Sequence, residues 1–353
     1  MTKQLRKGAF FTDIHFGKKS NSPVHNEDCL RFIDWFVGEV HRDPEIDYVG
    51  FLGDWNENRS SINLATLTYS YNGAKRLNEI GLPVYFVVGN HDLYHRHTRE
   101  IFSVLPFQEF ANFRLIDQPT IVPEIGDGAF LSPYLFHDEY NHLEQMLKIP
   151  FWAGHFEFKG FRITNYGTPM QHGPDPSKFK GPEHILSGHF HQRQQSGNIV
   201  YIGNAFPMDF GDAGDRARGM AIYDHRIRDV TFKDWDQAPL YIRCRVSKLL
   251  DDAVDIRNQS RVKCILDEEL SLEEANQIRD AYVKKYDLRE FLFEEHHGTL
   301  DGITDTETEV DVPEMEQTSD HNTIDGLIVQ MLNDIKVDTI DNDLLIKQYQ
   351  RLQ

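Results

Sequence analysis

Five short segments of this sequence end in residues that hold divalent cations or phosphate. They are Asp13-Ile14-His15, Gly53-Asp54, Gly89-Asn90-His91-Asp92, Gly154-His155 and Gly188-His189-Phe190-His191. Imidazole, carboxylate and amide oxygen are the donor types that suit a divalent transition metal. Two of the sets repeat at i and i+2, Asp13 with His15 and His189 with His191, and on an extended chain that spacing turns both side chains the same way. Each segment alone has a plain structural reading, such as a solvated turn acid or an Asx-turn after a strand. Together they form the clustered His and Asp pattern of a metal site.

The elements that must position these residues are legible just upstream of each. Gly8–Thr12, Tyr48–Leu52, Pro83–Val88, Pro150–Ala153 and His184–Ser187 are apolar runs that open into polar loops, which reads as buried strands. Ligands of open α/β sheets bind just outside the carboxyl ends of strands. Gly53 lets the backbone come close while Asp54 points into the site. Phe130-Leu131 and Tyr134-Leu135 read as strand edges interrupted by Pro133. Apolar residues at Leu30, Ile33, Phe36 and Val37 predict an amphipathic helix over Asn26–Val40, and a second helix is expected from about Ser61 to Ile80.

At 353 residues the chain exceeds the length at which one core keeps growing, so two or three units are expected. Cys29, Cys244 and Cys264 have no paired spacing, which points to neither a zinc knuckle nor a disulfide framework and fits a reducing, cytoplasmic setting. The basic start, Met1 to Lys7, runs into a strand without the apolar segment of a signal peptide. No run approaches the length needed to span a membrane.

The net charge of −19 is unevenly spread. Residues 298–353 hold 13 acids against 3 Lys/Arg, so the preceding 297 residues carry −9. The basic footprint of a nucleic-acid binder is absent, which counts against such a substrate unless bound metal supplies the positive charge. Four basic residues crowd the segment after Asp92: His95, Arg96, His97 and Arg99. They read equally as a solvated loop or as phosphate contacts.

Beyond about Leu240 the character changes. Tyr241–Val246 and Val262–Leu266 alternate as strands, Ser271-Leu272-Glu273-Glu274 is a capping box opening a helix to about Tyr286, and Phe291–Phe293 is a further strand. Arg243, Arg245, Arg261 and Lys263 could face a phosphate backbone or simply solvent. Residues 298–322, with eight acids and no Lys or Arg, read as a disordered acidic linker. After it, Ile324, Leu327, Ile328, Met331, Leu332 and Ile335 repeat at helical spacing, an apolar stripe that must bury itself against something.

In their order along the chain the five segments resemble the signature of calcineurin-type metallophosphoesterases. Phe151-Trp152-Ala153-Gly154-His155-Phe156-Glu157, Tyr201-Ile202-Gly203-Asn204-Ala205-Phe206-Pro207 and the return at Gly211-Asp212 and Arg218–Tyr223 resemble the SbcD type of DNA repair nuclease, especially its bacteriophage versions. The resemblance covers residues 8–235. It implies an α/β fold, a metallophosphoesterase α/β/β/α sandwich with a small α+β capping domain and C-terminal helices. The units expected are 1–239 for the nuclease, 240–297 for the cap, 298–322 for the linker and 323–353 for a helical ATPase-binding segment.

The same resemblance implies two divalent ions. Asp13, His15 and His191 would hold one, Asn90, His155 and His189 the other, and Asp54 would bridge them. Manganese fits the family, while the ligand set leaves iron, zinc and magnesium open. His91 is the candidate proton donor to the leaving oxygen, the bland alternative being a hydrogen bonder to a nearby carboxylate. Glu57, Arg59 and Arg96 are candidate substrate contacts, although many relatives carry His or Asp where Glu57 stands. The implied activity is metal-dependent DNA hydrolysis, exonuclease and endonuclease, in recombination, repair and replication. The implied partners are a second copy of the chain and a coiled-coil ATPase bound through the C-terminal helices. A phosphoesterase for phosphoproteins or small phosphodiesters is the alternative.

Overall fold

The structure, a computed structural model, describes residues 4–163 and 167–295, so the acidic linker and C-terminal helices expected from the sequence lie outside the described residues. The first strands are β1 (Lys7–Phe11), β2 (Tyr48–Phe51), β3 (Val84–Val87), β4 (Phe113–Ile116), β5 (Thr120–Val122), β6 (Ala129–Ser132), β7 (Phe151–Gly154) and β8 (His184–Ser187). They are followed by β9 (Gln194–Ser196), β10 (Ile199–Tyr201), β11 (Gly219–Asp224), β12 (Asp229–Asp234), β13 (Tyr241–Arg245), β14 (Arg261–Leu266) and β15 (Glu290–Glu295). One six-stranded sheet runs β12-β11-β1-β2-β3-β4, a second runs β5-β6-β7-β8-β10-β9, and β13-β14-β15 form a third.

The two large sheets pack face to face, and alternation along each strand divides its side chains between two cores. Ala9 and Phe11 of β1, Val49 and Phe51 of β2, and Val84 and Phe86 of β3 face the helices Pro23–Arg42 and Leu64–Asn78. Phe10, Tyr48, Tyr85 and Val87 point the other way, against Phe151, Ala153 and Leu186 of the second sheet. Trp152 and Ile185 face outward onto Phe156, Phe158 and Phe179. Strands buried on both faces read as continuous apolar runs, which is why they stand out in the sequence. The layers follow the α/β/β/α order. Short 3-10 helices, His137–His142 and Glu144–Lys148, contribute to the second outer layer.

Parallel pairing sets the geometry of the site. β1, β2 and β3 run parallel in register, as do β7 and β8, so their carboxyl ends meet at one edge of the sandwich. Two expectations shift. Tyr134-Leu135 is loop rather than strand, because the Tyr134 amide leaves its own sheet to donate to the Val88 carbonyl at 2.9 Å. The second helix starts at Leu64, where the Asn63 side chain accepts the Thr66 amide at 2.8 Å and caps it.

The third sheet is parallel throughout and carries its own core, with Ile242, Val262 and Phe291 under the helix Leu272–Tyr286. Its opposite face is partly engaged. Arg261 lies over the Tyr241 ring, and Lys263 lies over Phe210 and 3.6 Å from Glu294. Arg289 holds this unit to the sandwich by pairing with the buried Asp28, one contact being 2.9 Å, and Lys19 bonds the Tyr241 hydroxyl. Among the described residues no helix is long and apolar enough to cross a membrane.

Candidate metal centre

The loops leaving β1 and β2 are zipped together by backbone hydrogen bonds, Asp13 amide to Gly53 carbonyl at 2.9 Å and Ile14 amide to Asp54 carbonyl at 3.1 Å. The backbone there is unusual. Asp13, His15 and Asp54 on these loops, and His189 in the loop after β8, all have positive φ, at 50°, 52°, 61° and 86°. Non-glycine residues rarely adopt this region, and each costs about 1–3 kcal/mol unless the surroundings impose it. Four such residues in one cluster mark a backbone shaped for its side chains. Gly89 is required for a different reason, since a Cβ there would collide with the Asp54 amide and carboxylate.

The fully buried Asp92 fixes these loops. Its carboxylate accepts the amides of Asp54, Trp55, Asn56 and Gly89 at 3.1, 3.0, 3.1 and 3.0 Å. Asp92 closes the Gly89-Asn90-His91-Asp92 segment, and its residue type alone does not announce this task. Its place, two residues after Asn90, is the signal that was available.

Around that frame three clusters of ligand-type side chains converge among the described residues: Asp13 with His15 and His191, Asp54 with His155 and His189, and His15 again with Glu57 and His91. In each, the candidate donor atoms lie within 4.8 Å of one another. In the first, His15 Nε2 faces His191 Nε2 at 3.3 Å, and Asp13 Oδ1 lies 3.8 and 4.0 Å from those two nitrogens. In the second, His155 Nε2 is 3.3 Å from Asp54 Oδ2, and the Asn90 side-chain oxygen is 2.8 Å from His155 Nε2 and 3.1 Å from His189 Nδ1. Asp54 is reached from both clusters, its Oδ2 being 4.0 Å from His15 Nε2. Every candidate ligand named from the sequence is therefore in the convergent set.

Carboxylates and carbonyls hold the far nitrogens. Glu57 meets His15 Nδ1 at 2.7 Å, the Leu52 carbonyl takes His155 Nδ1 at 2.7 Å, and Glu157 lies 3.3 Å from His189 Nε2. Glu57, named as a substrate contact, is thus placed against His15, and its backbone carbonyl accepts from His91 Nδ1 at 3.0 Å. The signal for Glu157 in the sequence is that His155-x-Glu157 repeats the i, i+2 spacing of Asp13-x-His15. The Tyr134 hydroxyl donates to Glu157 at 3.3 Å, and Arg59 is within electrostatic reach of Tyr134. Arg96 lies exposed in the loop after Asp92. Neither arginine belongs to the convergent set.

His91 shares a cluster with His15 and Glu57 but is more open than the other histidines of the centre. Its side chain is 34 % exposed, while that of His155 is 0 % and that of His15 2 %. Its amide donates to Asp54 Oδ1 at 2.8 Å. It is accessible from outside and fixed from behind.

The electrostatics of the cluster call for positive charge. Burial alone would lower the His15 imidazole, but Asp13, Glu57 and the Asp54 charge outweigh it and carry the group up to about 10. Burial likewise opposes protonation of His155, and Asp54 and Asp13 still raise it to about 9. Asp54 is itself held well below the ordinary carboxylate range, the surrounding histidines overcoming its burial. Asp13 Oδ1 is buried with no hydrogen-bond partner. A buried acceptor left open beside two facing imidazole nitrogens fits a cation.

Comparison with known proteins follows the same line. The family described as calcineurin-like phosphoesterase matches residues 7–193. Exonuclease subunit 1 of Enterobacteria phage T4 is 28% identical over 184 residues, 51% of this chain and 53% of that protein, so the chain spans about half the length of this curated relative. Among solved structures, the Pseudomonas putida nuclease MPE aligns with a TM-score of 0.30 and 15% identity over 62% of this chain and 84% of its own. A dimetal phosphatase from Danio rerio aligns with a TM-score of 0.36 and 9% identity, covering 63% and 93%.

Proposed function

The chain belongs to the calcineurin-like phosphoesterase family, and from that premise we propose that it is a metal-dependent DNA nuclease, the catalytic subunit of an assembly with a coiled-coil ATPase. The observation that carries this reading is the convergence of two ligand clusters on the shared carboxylate of Asp54. Asp13, His15 and His191 would hold one divalent ion, Asn90, His155 and His189 the other, with Asp54 between them. The mixture of imidazole, carboxylate and amide oxygen suits manganese. When bound, such a pair supplies Lewis acidity toward phosphoryl oxygens and lowers the pKa of a water.

The protein's own groups do the rest. Donation from His91 Nδ1 to the Glu57 carbonyl leaves the lone pair on Nε2, the exposed side of the ring. Burial lowers the pKa of His91, so Nε2 would first take up a proton from solvent and then pass it to the departing 3′ or 5′ oxygen, a contribution of about 10²–10⁴-fold. Asp92 keeps the two loops from moving apart, and Tyr134 with Arg59 lines the approach beside His189. The phage relative is named as an exonuclease subunit, which supports a nuclease over a protein phosphatase and supports an assembly over a lone chain.

The test is a comparison of substrates with manganese present: short duplex DNA, bis-p-nitrophenyl phosphate and a phosphopeptide. Cleavage of the two diesters with the phosphopeptide left intact is expected. Turnover of the phosphopeptide alone would overturn the nuclease reading in favour of a phosphoprotein phosphatase.

A further inference from the structure

The third sheet contains an arrangement that phosphodiester hydrolysis does not use. Cys244 of β13 and Cys264 of β14 are register partners on adjacent parallel strands. Neighbouring strands lie about 4.7–4.9 Å apart, inside the Cα span of about 4.4–6.8 Å that a disulfide bridges. Both side chains point to the same face, and their sulfurs are 3.8 Å apart. Nineteen residues separate them in sequence, so no short motif announces the pair. Rotation of the two side chains is all that closure requires.

The two thiols differ in access. Cys264 is fully buried, whereas Cys244 is half-buried and lines an open cleft of about 350 Å³. Arg216, Arg243, Arg245 and Lys248 line that cleft against Asp215 and Asp255, Arg216 being paired with Asp255, and the remaining excess of positive charge favours an anionic visitor. The remaining cysteine, Cys29, is shut inside the sandwich, its sulfur donating to the Ile14 carbonyl at 3.3 Å.

We propose that Cys244 and Cys264 are a reversible dithiol–disulfide pair, oxidised by an anionic low-molecular-weight disulfide such as glutathione disulfide entering through this cleft. Cys244 is the sulfur that reaches the cleft while Cys264 is buried behind it, so Cys244 is the attacking group, and its thiol is also held below the ordinary range. Its thiolate attacks one sulfur of glutathione disulfide, the S–S bond breaks, and one glutathione thiolate leaves. Cys264 then gives up its proton and attacks the Cys244 sulfur, releasing the second glutathione. Two protein thiols are oxidised and one disulfide is reduced to two thiols, so the exchange balances. The product ties β13 to β14 behind the face on which Tyr241 and Lys263 meet Lys19 and Phe210. This inference is independent of the nuclease reading.

The full chain is incubated with glutathione disulfide, then unfolded and titrated for free thiols. The count should fall from three to one and return to three with excess reduced glutathione, and peptide mapping should join Cys244 to Cys264. Cys264→Ser should stop at a glutathione adduct on Cys244, while Cys29→Ser should still close the bridge. A count that stays at three, a disulfide that includes Cys29, or a bridge between two chains would overturn the proposal.

Discussion

At the scale of single residues, the centre depends on what stands behind each candidate ligand. The nitrogen remote from the cluster meets an oxygen in three histidines: the Leu52 carbonyl at His155 and Glu157 at His189 by hydrogen bonds, and Glu57 at His15 as an ion-pair partner 2.7 Å away. An acceptor in that position fixes the ring and raises its basicity, and loss of one typically costs 10–100-fold in metal affinity. Glu57→Ala is therefore expected to weaken manganese binding by about 10–100-fold with the fold intact, as read by calorimetric titration. Unchanged affinity would mean that His15 is oriented by packing alone. The ligand types themselves could be read from the sequence because they cluster within a few residues of strand ends. Their supports could not be assigned so directly. Glu57 and His15 lie on different loops, brought together only by the zipped path of β1 and β2.

At the scale of elements, strand ends carry the chemistry and strand beginnings carry a polar cluster of another kind. His225 follows β11 and accepts or donates at 2.8 Å to the Tyr48 hydroxyl, beside Phe151 and Tyr223. Burial holds its pKa down to about 4. Between there and the ordinary value near 6.5 the unfolded chain binds the extra proton, so stability falls as pH drops through that window and levels off below it. The contribution is on the order of 1–3 kcal/mol, and denaturant melts from pH 7 to 4 should show it shrink in His225→Gln. An identical slope in that variant would assign the acid sensitivity elsewhere.

The elements visible in the sequence were those buried on both faces, such as β2 and β3, whose apolar runs are continuous. β12 has only one half-buried residue among its six and so shows no pattern to read. β4 breaks its apolar run at the exposed Arg114, and the three-residue β5, β9 and β10 are too short for periodicity to register. Pro133 hid the end of β6, because the loop it starts crosses to the Val88 carbonyl of the other sheet.

At the scale of the molecule, the net charge of −19 works against long-range attraction to DNA, so assembly with a DNA-binding partner is part of the proposed function. The apolar set from Ile324 to Ile335 is the proposed anchor for the ATPase. Deleting residues 320–353 should abolish co-purification with the ATPase while sparing metal binding and manganese-dependent cleavage of short substrates. Undiminished ATPase binding by the shortened chain would place the anchor elsewhere.

The central claim is that Asp54 serves two ions while His91 serves the substrate, and metal stoichiometry separates the two roles. Metal-free full chain, Asp54→Ala and His91→Ala are each titrated with manganese and then assayed on short duplex DNA. The account predicts two ions in the unaltered chain, fewer than two in Asp54→Ala, and two in His91→Ala with hydrolysis reduced by about 10²–10⁴-fold. Two fully bound ions in Asp54→Ala, or an ion lost from His91→Ala, would contradict it.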